Sequence, residues 1–123
     1  MILVDTSVWI DHLRHRDDAL TGHLDAGRVL GHPFVVGELA MGGLRQRERI
    51  LTALQDLPQA TAATDREVLD FIDRQQLYGL GIGYVDAHLL AAVRLSRDAT
   101  LWTRDVRLHE VATRLGLAMP MAG

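Results

Sequence analysis

Short apolar runs alternate along the chain with segments whose apolar residues recur at helical spacing. Residues 2–4 and 100–103 are predicted as short buried strands, with a weaker strand at 28–32 and a short last one at 117–119. Amphipathic helices are predicted to begin near Thr6, Leu20, Pro33, Ile50, Thr64, Tyr84 and Leu108. This alternation is typical of a parallel sheet with helical layers, so we predict one α/β domain with much more helix than strand.

Residues with known helix-end preferences support these boundaries. Pro33 is predicted at the first position of its helix, where a missing amide hydrogen costs nothing. Thr64 and Glu67 have the spacing of a capping box. The glycine-rich segment 79–83 is predicted as a turn, because it lacks the strand-then-helix spacing of a dinucleotide-phosphate loop.

The composition limits the class of protein and the kind of metal site. The chain has 123 residues and 48% hydrophobic residues, enough for one compact core. It has no cysteine, so any metal must take oxygen or imidazole ligands. We see no signal-peptide pattern and no apolar run near the roughly 20 residues of a membrane span, so we expect a soluble, cytoplasmic protein.

The charge balance gives no chain-wide footprint for nucleic acid. The net charge is −3, whereas nucleic-acid binders usually carry a basic excess. Aromatic residues make up 5%, which argues against a base-stacking platform. All 13 basic residues are arginines, which suit local phosphate contacts. Arg104 and Arg107, on either side of Asp105, are candidates for meeting a phosphate or for pairing with nearby acids.

Four acids lie where buried structure is predicted: Asp5, Glu38, Asp86 and Asp105. Asp5 ends the first strand and Asp105 follows the strand at 100–103, so parallel strands would bring both to one sheet edge. Glu38 and Asp86 interrupt the apolar faces of their helices. A carboxylate withdrawn from water costs several kcal/mol unless a cation compensates it, so we predict one shared cation.

Each acid also has a structural explanation. Asp5 and Asp105 each precede a helix and fit a cap. Glu38 fits a hidden ion pair with an arginine, and Asp86 lies in a first helical turn, where the helix dipole favours acids. These explanations are four separate coincidences, so the shared site is the favoured hypothesis.

The chemistry of such a site follows from its oxygen ligands. Converging carboxylates either share protons as a coupled set or surround a divalent cation. Without thiolate or imidazole ligands, the cation is predicted to be Mg²⁺ or Mn²⁺. A site of this kind suits phosphodiester hydrolysis.

At these residues the chain resembles PIN-domain ribonucleases, specifically the VapC-like toxins of bacterial toxin–antitoxin pairs. The matching segments are residues 4–10, 36–39, 81–89 and 101–105, in the family's order. The resemblance implies a single PIN-like nuclease domain over residues 1–123, built as a helix-rich three-layer α/β/α sandwich with a short parallel sheet. It also implies Mg²⁺- or Mn²⁺-dependent endonucleolytic cleavage of RNA, inhibition by a cognate antitoxin protein, and a homodimer.

The resemblance carries over to named residues. Asp5, Glu38, Asp86 and Asp105 match the family's four catalytic acids. Asp5 and Asp86 would be direct metal ligands, and Glu38 and Asp105 would complete the cluster directly or through water. Thr6 or Ser7, together with Thr103, would orient carboxylates. His32 departs from the family, whose members often have a small hydroxyl residue there.

Two other classes of protein have a similar size and α/β character. Receiver domains and haloacid-dehalogenase-type phosphatases resemble this size and class, but both use a lysine and the chain has none. Two alternatives stay open: a housekeeping PIN nuclease without an antitoxin, and a non-catalytic PIN-like module that binds RNA or protein. An adjacent small open reading frame for an antitoxin would support the toxin.

Overall fold

A short parallel sheet forms the centre of the protein. The structure, a computed structural model, describes residues 1–120. The strands β1 (Ile2–Val4), β2 (Val29–Leu30) and β3 (Thr100–Trp102) lie in the order β2-β1-β3. Both neighbours are parallel to β1, with Leu3 paired to Leu30 on one side and to Leu101 on the other. The predicted α/β class with a short parallel sheet is therefore confirmed.

Helices account for most of the regular structure around this sheet. Residues 1–120 contain α1 (Thr6–Arg14), α2 (Asp18–Asp25), α3 (Pro33–Ala40), α4 (Arg47–Asp56), α5 (Asp65–Gln75), α6 (Tyr84–Leu95) and α7 (Val106–Arg114). The helix-rich, layered architecture is as predicted. In residues 1–120, no helix has both the length and the apolar character that crossing a membrane would require.

The helix ends follow the predicted chemistry. Pro33 opens α3, and the Nδ1 atom of His32 accepts the amide hydrogen of Phe34 at 3.0 Å as the cap. Thr64 and Glu67 form the reciprocal capping box of α5. Each satisfied cap is worth about 1 kcal/mol, so these local signals reinforce the tertiary packing.

Two predicted strands are shorter than the sequence indicated. The strand predicted at 28–32 is reduced to Val29–Leu30, because Gly31 leaves the sheet to pair with Gln59 in an isolated parallel bridge. The strand predicted at 117–119 is also only a bridge, between Ala118 and Leu101. At each bridge, one residue makes two backbone hydrogen bonds to the opposite segment, and the neighbouring residues do not extend the pairing.

The packing of the core explains why the acids that follow β1 and β3 lie at its boundary. The side chains of Leu3, Val4 and Leu101 on the sheet and of Leu89 and Leu90 on α6 are fully buried. Burying each of these side chains contributes about 1.5–3 kcal/mol. The apolar strands therefore lie in the core, and the first polar residues after them emerge at its boundary.

His32 makes the stability of the fold depend on pH. It is buried, and burial first, then the charge of His88, lowers its pKa from 6.5 to about 4. The folded protein thus holds it neutral, whereas the unfolded chain protonates it below pH 6.5. The resulting stability is complete above that pH and is lost as the pH falls towards 4. The full loss is on the order of 3 kcal/mol.

We expect the free energy of unfolding to fall over this pH range more steeply in the wild type than in His32→Ser, which keeps a capping hydroxyl but cannot titrate. Urea unfolding at several pH values between 7 and 4 measures both slopes. Equal slopes in the two proteins would contradict this account of His32.

Candidate active site

Asp5 lies at the carboxyl end of the central strand. Its amide donates to the carbonyl of Trp102 at 2.9 Å, which joins the ends of β1 and β3. Its side chain is 7% exposed, and its Oδ2 accepts hydrogen bonds from Ser7 Oγ at 2.7 Å and Thr103 Oγ1 at 2.8 Å. Although Asp5 occupies the N-cap position of α1, its carboxylate makes no capping hydrogen bond. Its orientation is therefore determined by the two hydroxyls.

The same hydroxyls hold the loop after β3. Ser7 Oγ accepts from the amide of Arg104 at 3.1 Å, and Thr103 Oγ1 accepts from the amide of Asp105 at 3.0 Å. Each hydroxyl thus donates to Asp5 while it accepts from this loop. This network couples the position of the Asp5 carboxylate to the start of α7.

Glu38 reaches the site from α3. Thr6 Oγ1 donates to Glu38 Oε1 at 2.8 Å, so the residue after Asp5 orients a second acid. The side chain of Glu38 is exposed, and within residues 1–120 it makes no ion pair with an arginine or histidine. The buried ion pair considered as its structural explanation is therefore not found.

Asp86 connects the four acids electrostatically. It is half-buried in the first turn of α6, and its Oδ2 accepts the amide hydrogen of Gly83 at 3.0 Å. Burial raises its pKa most, and the negative charges of Asp5, Asp105 and Glu38 raise it further, against the opposing Gly83 hydrogen bond. Because all three other carboxylates act on Asp86, we refer to Asp5, Glu38, Asp86 and Asp105 as the acidic cluster.

Asp105 has a structural role as well as its place in the acidic cluster. Its Oδ1 accepts the amide hydrogen of Leu108 at 3.0 Å and caps α7. The cap considered from the sequence is thus confirmed. A carboxylate has a second oxygen with its own lone pairs, so capping through Oδ1 leaves Oδ2 available to the site.

The donor set fits a hard divalent cation that keeps part of its water shell. None of the four acids forms an ion pair in the part of the chain that the structure describes. Across residues 1–120, no three carboxylates or imidazoles are close enough to hold an ion by themselves. Mg²⁺ commonly takes one or two protein carboxylates, with waters and substrate phosphates as its other ligands. The acidic cluster meets this requirement.

The side chain of Arg104 pairs with two aspartates outside the acidic cluster. Its Nε lies 3.0 Å from Asp11 Oδ2 and its Nη2 lies 2.6 Å from Asp17 Oδ2. The pKa of Asp17 is lowered, mainly by the Leu20 amide and further by Arg104. Arg104 thus ties the loop after β3 to α1 and α2. Because its partners are distant in sequence, no local motif indicated this network.

Two contacts at the site were not predicted from the sequence, although Arg107 itself was named there as a candidate for meeting a phosphate. The Gly83 amide that holds Asp86 is a backbone group, so the residue type gives no signal for it. The guanidinium of Arg107 lies against Gly81 in the loop before α6. That contact joins residues 26 positions apart, by subtraction of 81 from 107, and only the fold places them together.

Comparison with known proteins shows the family of the chain. The chain is 46% identical over 119 residues to "Ribonuclease VapC32" of Mycobacterium tuberculosis, strain CDC 1551 / Oshkosh. The identity is the same for the protein of that name from strain ATCC 25618 / H37Rv. The aligned region covers 97% of this chain and 96% of each relative. The family model for the PIN domain matches residues 2–114. The chain therefore belongs to the PIN-domain family.

Proposed function

We propose that this protein is a Mg²⁺- or Mn²⁺-dependent endoribonuclease that acts as the toxin of a toxin–antitoxin pair. The observation that carries the proposal is the acidic cluster, in which three carboxylates raise the pKa of a fourth and none forms an ion pair within residues 1–120. Such repulsion is retained where a cation is to be bound. The name of the M. tuberculosis relatives supports RNA as the substrate.

We assign the acids separate roles in this proposal. Asp5 and Asp86 are the direct metal ligands, because both are at least half-buried and each has one oxygen held by the protein. Glu38 and Asp105, which are exposed, act through water. A bound Mg²⁺ would supply charge neutralisation at the scissile phosphate and make water a better nucleophile.

The protein groups orient the reactants around this site. Ser7 and Thr103 prevent Asp5 from rotating, and Thr6 does the same for Glu38. With Oε1 of Glu38 occupied by Thr6, Oε2 is the atom placed to accept a proton from the attacking water. Hydroxyl contacts of this kind typically affect activity 10- to 100-fold.

A groove beside Glu38 supports the proposed antitoxin partner. The groove, of about 650 Å³, lies between α1, α3 and α4, with Glu38 at its edge. Its apolar wall is formed by Ile10, Leu13, Leu39, Leu44 and Ile50. Arg14 and Arg45 line it as well, which favours an apolar partner segment with acidic flanks. A protein seated there would block access to Glu38.

The alternative is a housekeeping PIN nuclease without an antitoxin. A small open reading frame beside this gene, whose product co-purifies with the protein and suppresses cleavage, would favour the toxin. We propose a single cytoplasmic domain that works as a homodimer, which light scattering of the purified protein would test.

Chelation tests the proposed chemistry directly. We expect EDTA to lower cleavage of a labelled RNA pool at least 100-fold, and Mg²⁺ or Mn²⁺ to restore it, because no ion pair within residues 1–120 neutralises the acidic cluster. Cleavage is followed by gel electrophoresis, and circular dichroism checks that EDTA leaves the fold intact. Activity that persists in EDTA but is lost in an identically purified Asp5→Ala variant would belong to this protein and would contradict the proposed metal dependence.

A further inference from the structure

We propose that Arg107 binds a phosphate of the RNA strand beside the acidic cluster, and that Gly81 holds its guanidinium in place. The inference rests on the proposed function and names a substrate contact that the four acids do not provide. It makes Arg107 a substrate-positioning residue rather than a ligand of the cation.

Arg107 occupies the space that a side chain at position 81 would fill. A Cβ atom at position 81 would lie 2.9 Å from Cδ and 3.1 Å from Cζ of Arg107, and closer still to Nη1. Gly81 also has φ of +80°, a conformation that residues with a side chain rarely adopt. The backbone conformation therefore favours glycine here, and any side chain at position 81 would displace the Arg107 guanidinium.

The guanidinium lies between the two segments that carry Asp86 and Asp105. Gly81 lies just before Gly83, whose amide holds Asp86 Oδ2. Arg107 lies just after Asp105, in the first turn of α7. The contact thus brings together the loop that leads to Asp86 and the helix that Asp105 caps. A strand with its scissile phosphate at the acidic cluster would pass this guanidinium.

Charge distinguishes Arg107 from Arg104. Arg104 is neutralised by two aspartates, at 3.0 and 2.6 Å. Within residues 1–120, Arg107 has no carboxylate within 4.0 Å, although four acids lie in this part of the molecule. An exposed guanidinium held by packing against backbone keeps its fork of donors for an external anion. An RNA strand approaching an acidic site needs such a contact to offset repulsion.

The first test removes the charge. We expect Arg107→Gln to lower kcat/KM for a fluorophore- and quencher-labelled RNA pool of randomised sequence about 10- to 100-fold, chiefly through KM, in Mn²⁺. The slope of log kcat/KM against log salt concentration should fall by about 0.7 to 1. Arg107→Lys should recover part of the loss. Arg97→Gln, which makes the same charge change beyond the far end of α6, should match the wild type in both measurements.

The second test removes the glycine. We expect Gly81→Ala to resemble Arg107→Gln, and the double variant to be no worse than Arg107→Gln alone, because both changes remove one interaction. Gly79→Ala is the matched control, since Gly79 has φ of +72° but nothing within 4 Å of an added Cβ. Thermal unfolding of all variants separates loss of the contact from loss of the fold.

The outcomes separate this inference from the proposed function. A wild type that cleaves no RNA in Mn²⁺ would overturn both. A wild type that cleaves RNA, with Arg107→Gln indistinguishable from Arg97→Gln, would overturn the role of Arg107 alone. If Arg107→Gln is impaired but Gly81→Ala behaves as Gly79→Ala, the part assigned to Gly81 is overturned.

Discussion

Asp5→Ala is expected to lower kcat/KM for RNA cleavage about 1,000-fold or more while the protein still folds. The proposed site depends on this carboxylate as a metal ligand, and the stabilisation that a cation gives to a phosphoryl transition state amounts to several kcal/mol. The fold survives because the apolar residues of β1 remain buried. Loss of two hydrogen bonds from Ser7 and Thr103 is offset by relief of repulsion with the neighbouring acids.

The control for Asp5→Ala is a second change from aspartate to alanine outside the acidic cluster. Asp73 is exposed on α5, and Asp73→Ala changes the net charge equally. Steady-state cleavage in Mn²⁺ and thermal unfolding are measured for both variants. Metal-dependent cleavage at the wild-type rate by a folded Asp5→Ala protein would exclude the proposed site.

The convergence of Asp5 and Asp105 was predictable because both follow strands of a sheet predicted to be parallel, and parallel strands have their carboxyl ends at one edge. The Thr64 capping box and the Pro33 helix start were predictable because their effects are local. For Glu38 and Asp86 the sequence supplied only the cost of burying a carboxylate on an apolar helix face, and the resemblance added the match to the family's acids. Their catalytic roles remain predictions.

Other features depend on tertiary geometry that a single sequence does not encode locally. The weak strand near Val29 ends early because Gly31 pairs with the segment after α4, a contact set by how α4 returns to the sheet. The sequence likewise did not predict which groups the two arginines contact. Arg104 pairs with Asp11 and Asp17, and Arg107 packs on Gly81. From the sequence the two arginines were equivalent neighbours of Asp105, and only their partners distinguish them.

Asp86→Asn tests whether activity and stability oppose each other at the acidic cluster. The folded state raises the pKa of Asp86, so near pH 7 the ionised carboxylate carries an electrostatic cost that the unfolded chain does not have. That cost diminishes as the pH falls through the raised pKa. Asparagine removes the charge and retains an oxygen to accept the Gly83 amide hydrogen.

We therefore expect metal-free Asp86→Asn to have a higher Tm than the metal-free wild type at pH 7, with the difference shrinking at lower pH. Mg²⁺ or Mn²⁺ should raise the Tm of the wild type, since a ligand of the folded state stabilises it by RT ln(1 + [L]/Kd), and should have little effect on the variant. RNA cleavage by the variant should fall about 1,000-fold. Differential scanning calorimetry with and without Mn²⁺ measures the stability effects without any RNA. An equal rise of Tm with Mn²⁺ in both proteins would mean that Asp86 is not a ligand, because a cation bound elsewhere would be unaffected by the substitution.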